Sequence, residues 1–163
     1  MPKDTVDELL QQWADERPGL DVSALGVVVR LQHLGKLLGR RTNRALKRHG
    51  LKHWEYDVLS VLRRQGKPYE MPATDIARAV HLTSGAMTTR IDGLEERDLV
   101  RRRQSEEDGR SVLVRLTASG LTLIDQAIET RLADANSAMA HVPERERRQL
   151  AAWLRRMLVD QED

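Results

Sequence analysis

Residues 72–94 contain two short helical patterns that are separated by only a few residues. Pro72 can begin the first helix, because a first helical position does not use the amide hydrogen that proline lacks, and Ile76 and Val80 lie on its apolar face. Thr83 can cap the second helix through its hydroxyl group. Two short helices joined by so tight a turn have the size of a helix-turn-helix, which restricts the chain to a small group of helical folds.

The periodicity changes from helical to alternating after Leu94. Residues 99–104 and 111–116 have the pattern of two β-strands, and the second alternates apolar residues with polar ones. The pair Asp108-Gly109 between them is a signal for a hairpin turn. A hairpin after a helix-turn-helix is a wing, so we predict a mainly α (α+β) fold, a winged helix-turn-helix with a helical dimerisation region.

Helical patterns flank this segment on both sides. They cover 4–16, a long stretch that stops at Gly50, then 54–65, 118–140 and 144–159. We therefore divide the chain into an N-terminal helical extension (1–19), a winged helix-turn-helix (51–116) and a helical dimerisation region (20–50 with 117–163).

The last helical pattern carries a broad apolar stripe. Such a stripe can pack on its own domain or on a second copy of the chain, and we favour a homodimer because helix-turn-helix proteins usually bind DNA as dimers. The stripe consists of Leu150, Trp153, Leu154, Met157 and Leu158.

Charge is distributed unevenly along the chain. Residues 36–52 carry many basic residues and no acidic residue, and a second basic cluster contains Arg97 and Arg101–Arg103. Basic clusters are typical of surfaces that bind phosphate groups. Charge alone also fits a solvated helix face, so the clusters support a nucleic-acid interface without deciding it.

The sequence lacks the motifs of the common enzyme classes. It contains no cysteine, which excludes disulfides, thiol redox sensing and cysteine-based zinc sites. It has no Gly-x-Ser-x-Gly elbow, phosphate-binding loop or dinucleotide fingerprint. His49 and His53 are four residues apart, but Gly50 interrupts the helix that would align them. We therefore predict a protein that is not an enzyme and holds no metal or cofactor.

No segment indicates a membrane protein. The longest apolar run, 24–29, is far shorter than the about 20 residues of a membrane-spanning helix, and the N-terminus lacks a signal sequence. We therefore expect a cytoplasmic location and no membrane partner.

Three local sequences resemble the multiple antibiotic resistance regulator (MarR) family. They are Trp-Glu-Tyr-Asp-Val-Leu at 54–59, Leu-Thr-Ser-Gly-Ala-Met-Thr-Thr-Arg-Ile-Asp at 82–92, and Asp108-Gly109-Arg110 followed by Leu-Thr-Ala-Ser-Gly at 116–120. The resemblance covers about residues 20–160 and implies a transcription regulator, expected to be a repressor, that a small ligand releases from a palindromic operator in double-stranded DNA. A winged-helix regulator that acts without a ligand, an activator and a protein-interaction module are the alternatives.

Trp13, Asp57 and Arg90 narrow the resemblance to the PecS-like and urate-responsive members of this family. In those members the three positions help to form the ligand site. The resemblance therefore implies a small anionic effector, such as urate, xanthine or an aromatic or organic acid. For Trp13 the alternative is ordinary core packing.

The second helix of the helix-turn-helix has one apolar side, which contains Met87, Ile91 and Leu94. The opposite side carries small and hydroxyl-bearing residues, which allow the helix to enter a major groove. The alternative is the surface of an ordinary amphipathic helix. We expect DNA contacts from Ser84, Gly85, Thr88 and Thr89, and from Asp108 and Arg110 in the wing, where Arg110 can enter a minor groove and Asp108 can orient it.

Arg90 lies off the side that faces DNA and is expected to point back into the protein. A buried guanidinium needs a partner, and the resemblance implies Asp57. We therefore expect an anionic ligand to compete for Arg90 and to displace the second helix of the helix-turn-helix, which we call the reading helix.

Overall fold

The structure is a computed structural model that describes residues 2–104 and 111–162. The chain divides into two compact units, Met1–Arg41 and Thr42–Asp163. Its elements are α1 Thr5–Glu16, α2 Ser23–Lys47, α3 His53–Arg64, β1 Glu70–Pro72, α4 Ala73–Ala79, α5 Ser84–Glu96, β2 Val100–Gln104, β3 Val112–Leu116, α6 Ala118–Ala138 and α7 Glu144–Glu162. Within the described residues, no helix combines the length and the apolar character needed to cross a membrane.

In the first unit, α1 is held against α2 by charged hydrogen bonds. Asp4 caps α1 by accepting from the backbone amides of Val6 and Asp7. Arg30 on α2 donates to the carboxylates of Asp4, at 2.8 Å, and Asp7, at 2.7 Å. The hydrogen bond from Arg30 lowers the pKa of Asp4 to about 2. Gly26 allows the close approach of the helices, since a β-carbon there would lie 2.9 Å from the side chain of Leu10.

The second unit has a small antiparallel sheet with the strand order β1-β3-β2. The sheet, α3, α4, α5 and α6 enclose one apolar core. Its largest fully buried side chains are Leu46, Val58, Leu59, Leu62, Ile76, Met87, Ile91, Leu94, Val100, Val114 and Ile124. These elements in this order form a winged helix-turn-helix, as predicted.

The turn between α5 and β2 packs tightly against the start of α6. Thr117 caps α6 by accepting from the amide of Gly120, and its hydroxyl group donates to the carbonyl oxygen of Asp98 at 2.6 Å. Gly120 faces the backbone of Leu99, where a β-carbon would overlap the carbonyl oxygen and lie 2.9 Å from the carbonyl carbon. Asp98 adopts the left-handed conformation, with φ 52°. This turn therefore fixes the end of α5 against α6.

Strand β1 was absent from the expectation drawn from the sequence. It is only three residues long and pairs with β3 alone, so it has no alternating pattern long enough to detect. Pro72 ends this edge strand, a position that tolerates its missing amide hydrogen. The helix begins at Ala73, so Pro72 is its N-cap and not its first helical residue.

Candidate nucleic-acid interface and ligand site

Helix α5 presents a small, polar surface to solvent. Thr83 caps it by accepting from the amide of Ala86 at 3.4 Å. The side chains of Met87, Ile91 and Leu94 are buried in the core, as the periodicity predicts. The residues predicted to contact DNA on this helix are exposed together, and they are Ser84, Gly85, Thr88 and Thr89. The described part of the candidate interface is therefore accessible.

The wing is formed by β2 and β3, as predicted. Residues 105–110 join the strands, so the predicted DNA contacts Asp108 and Arg110 lie outside the described residues. Arg101 and Arg115 are exposed and directly opposite each other on β2 and β3. Like charges in that arrangement repel, and an anionic partner would offset the repulsion.

Arg102 on β2 ties the wing to α5. Its guanidinium lies 2.6 Å from the carboxylates of Asp92 and Glu95 and donates to the carbonyl oxygen of Thr88 at 2.9 Å. Its backbone amide also donates to Glu95 at 2.7 Å. The basic clustering of the sequence placed Arg102 among the candidate phosphate-binding residues, whereas the structure engages it within the protein. The alternation along β2, which turns Arg102 and Val100 to the same side as α5, is the signal that could have shown this.

A second ion pair fixes the other end of α5. Arg97 at its C-cap donates to the Glu55 carboxylate at 2.7 Å and to the carbonyl oxygen of Gly50 at 3.1 Å. Glu55 is only 4% exposed and also accepts from the amide of Lys52 at 2.7 Å. The reading helix is thus attached to the start of α3 at one end and to the wing along its side.

Arg90 turns away from the outward side of α5, as expected, but its partner differs from the prediction. Its guanidinium lies 5.1 Å from the centre of the Trp54 ring, and no ion pair joins it to Asp57 among the residues that the structure describes. Asp57 instead lies 3.9 Å from His53, one turn earlier on α3. Trp54 is three residues before Asp57 and therefore on the same face of the helix, so Arg90 meets the face of α3 that carries Asp57 through the aromatic ring.

Asp57 is half-buried in a positively charged environment. Burial raises the pKa of its carboxyl group, and the charges of His53, Arg90, Arg131 and Arg64 oppose that rise. The three arginines around this one acid make a local excess of positive charge. Of these neighbours, only Arg90 was singled out from the sequence. Helical spacing on α3 is the signal that could have added His53 and Arg64, whereas Arg131 approaches from α6, which only the folded chain brings near.

Asp57 borders two cavities. One has a volume of about 730 Å³ and is also lined by Lys47, Lys52, His53 and Trp54. The other, of about 380 Å³, is also lined by Arg64 and His81. Both volumes are within the range of small-molecule sites.

Trp13, the third predicted ligand contact, lies on α1 in the first unit. It is 41% exposed, so it is not a core residue of that unit.

An exposed reading helix tied to a β-hairpin wing defines a winged-helix DNA-binding protein. A model of the MarR family matches residues 49–111. The HTH-type transcriptional regulator PecS of Dickeya dadantii (strain 3937) is 33% identical over 152 residues, which are 93% of this chain and 92% of PecS. The chain therefore belongs to the MarR family and to its PecS-like subgroup, as the motifs predict, and it is a DNA-binding transcription regulator rather than an enzyme.

Solved structures agree on the fold. AbsC, a MarR family transcriptional regulator from Streptomyces coelicolor, superposes with a TM-score of 0.78 at 21% identity, covering 88% of this chain and 96% of AbsC. A mutant MarR from E. coli, solved in complex with operator DNA, gives a TM-score of 0.73 at 20% identity and covers 86% of this chain and 99% of that one.

Proposed function

We propose that this chain is a repressor that binds a palindromic operator as a homodimer and releases it when a small anion binds beside α5. The observation that carries the proposal is that adjacent residues of α5 face different surroundings. Thr89 is exposed on the side available to DNA, while the next residue, Arg90, is half-buried with its guanidinium over the ring of Trp54, which lines the larger cavity beside Asp57. A ligand that moves Arg90 also moves the residues proposed to contact DNA.

The proposed DNA interface consists of Ser84, Gly85, Thr88 and Thr89 on α5, with Asp108 and Arg110 assigned from the sequence. Gly85 has no atom near the position of a β-carbon, so a base edge can approach the backbone closely. Ser84 stands at the helix N-terminus, where backbone amides favour a phosphate group.

The proposed dimer rests on α7. Its apolar stripe is largely exposed, with Trp153 at 53%, Met157 at 42% and Leu158 at 59%. A second copy would remove this surface from water, which is favourable at about 25 cal/mol per Å² of apolar area. Two winged helix-turn-helix units related by a two-fold axis match half-sites about 10 base pairs apart. Because it acts on chromosomal DNA, we place the regulator in the cytoplasm.

The proposed ligand is an anion with an aromatic or planar body, of which urate and xanthine are examples. Arg90 and the other arginines around Asp57 attract negative charge, and Trp54 offers a ring face for stacking. Trp13 is the further ligand contact that the PecS-like subgroup implies. A regulator that acts without a small ligand remains the alternative proposal.

DNA binding is tested with a labelled random duplex at increasing salt concentration, measured by fluorescence anisotropy. We expect binding at low salt and a steep loss as salt rises, with a slope of about −0.9 in the logarithmic plot for each neutralised phosphate. Absence of binding at low salt would contradict the proposal and favour a protein-interaction module.

Replacing Arg90 by Ala should weaken the binding of urate by about 30-fold or more, because a desolvated charge partner contributes about 2 kcal/mol or more. Asp57→Asn should instead strengthen it, because the substitution removes an opposing charge. Arg78→Ala is the matched control, since it removes the same charge from an exposed site on α4. Isothermal titration with urate and with xanthine measures each affinity. Equal affinities of wild type, Arg90→Ala and Asp57→Asn for a bound anion would refute this site.

A further inference from the structure

The outward side of α5 has no cationic side chain available for bases. Arg90 is the one basic residue within Ser84–Glu96, and its guanidinium lies over the Trp54 ring. Asp92 is exposed, but its carboxylate is bound to Arg102 at 2.6 Å. The helix therefore presents hydroxyl groups, methyl groups and bare backbone to a major groove.

This inventory restricts which base edges the helix can read. Guanine is commonly read by Arg or Lys, adenine by Asn or Gln, and cytosine by an acidic side chain. Helix α5 has no Lys, Asn or Gln, and its outward acid is already paired. The Ser and Thr hydroxyl groups can bond to more than one base and therefore do not select among them. Apolar contact with the 5-methyl group of thymine, which Ala and the methyl group of Thr provide, is the remaining contact that selects a single base.

The geometry places two threonines at this surface. At about 100° per residue, Thr89 lies about 200° from the buried Met87 and therefore opposite the core. Thr88 is exposed at the side, and its hydroxyl group donates to the carbonyl oxygen of Ser84 at 3.2 Å. Because that hydroxyl hydrogen is engaged within the helix, Thr88 can no longer donate to a base, and its methyl group stays available for apolar contact.

We infer that α5 reads thymine through its 5-methyl group, with Thr89 as the central specificity residue and Thr88 and Ala86 beside it. Each half-site then contains A·T pairs at the positions opposite the middle of α5. This inference rests on the proposed binding of an operator and adds the base class that the operator must contain.

The test uses two pools of duplexes with the same random 20-base-pair region, one made with thymine and one with uracil. Uracil pairs in the same way but lacks the methyl group. We expect the full-length protein to enrich specific sequences from the thymine pool. In the best sequence, uracil at the contacted positions should weaken binding about 3- to 5-fold for each lost methyl group, and uracil at other positions should have no effect.

A matched pair of variants assigns the contact to Thr89. Thr89→Val keeps a methyl group and loses the hydroxyl group, so it should still prefer thymine to uracil. Thr89→Ser keeps the hydroxyl group and loses the methyl group, so the preference at one position of each half-site should disappear. Both substitutions are at an exposed site, and circular dichroism verifies the fold.

The outcomes separate the inference from the proposed function. Equal enrichment of sequences from both pools would leave operator binding intact and overturn thymine reading. If Thr89→Ser keeps the preference for thymine at every contacted position, the assignment to Thr89 is overturned. No enrichment from either pool would contradict the proposed function and the inference together.

Discussion

Replacing Gly120 by Ala is expected to lower the free energy of unfolding by about 3 kcal/mol, the upper part of the range for overpacked sites. The added β-carbon would overlap the carbonyl oxygen of Leu99. This obstacle is backbone, and the turn that contains it is held by the hydrogen bond from the Thr117 amide to the same oxygen at 3.1 Å. Relief therefore requires α6 to move away from the end of the reading helix.

Gly93→Ala is the matched control for this substitution. Gly93 lies within α5, and its β-carbon would meet nothing within 4 Å. Alanine in a helix interior is favoured over glycine by about 0.5–1 kcal/mol, so this variant should be slightly more stable than wild type. Urea unfolding at one fixed protein concentration measures both. A Gly120→Ala protein as stable as wild type would show that α6 does not pack on Leu99 in this way.

Replacing Arg97 by Ala should destabilise the protein by about 3 kcal/mol, the lower end of the range for a broken buried ion pair. The Glu55 carboxylate is almost completely buried and would lose the guanidinium that pairs with it, whereas Arg97 itself is partly exposed. The energetic effect therefore comes from the uncompensated acid that stays behind. Thermal and urea unfolding measure the change.

A double variant separates this effect from the loss of packing. Glu55→Gln keeps the shape of the side chain and removes its charge, so Arg97→Ala combined with Glu55→Gln should be more stable than Arg97→Ala alone. Arg101→Ala is the control, because its ion pair with Asp98 is exposed on both sides and such pairs contribute about 0–1 kcal/mol. If the double variant is no more stable than Arg97→Ala, the charge of Glu55 is not the cause.

Most of the fold could be predicted because it depends on periodicity. The apolar spacing of Met87, Ile91 and Leu94 determines which side of α5 is buried, and the alternation in β3 determines the wing. Strand β1 escaped prediction because a three-residue edge strand exists only through its pairing with β3. The close packing at Gly120 could be noticed as part of a motif, but its physical reason is a contact with Leu99, which only the folded chain brings near.

The site was harder to predict for a physical reason. Helical spacing along the sequence determines where a side chain points, but its partner depends on how distant elements pack together. Helical spacing indicates that Arg90 leaves the outward side of α5, but the choice between Asp57 and Trp54 depends on how α3 packs against α5. Glu55 has the spacing of an ordinary helix N-terminal acid, and nothing in the sequence indicates its burial. Arg102 counts as one more positive charge in the sequence, although two carboxylates of α5 bind it.

The bonds of Arg102 to Thr88, Asp92 and Glu95 also restrict how a signal can travel. Helix α5 cannot slide past the hairpin without breaking several charged hydrogen bonds, so we expect the two to move together as one rigid piece. In the proposed dimer, an effector would then alter the distance between the two copies of α5 and leave the bases that each copy recognises unchanged. Inserting a base pair between the two half-sites of an operator should therefore change the response to the effector, whereas changing the sequence of a half-site should change affinity without changing that response.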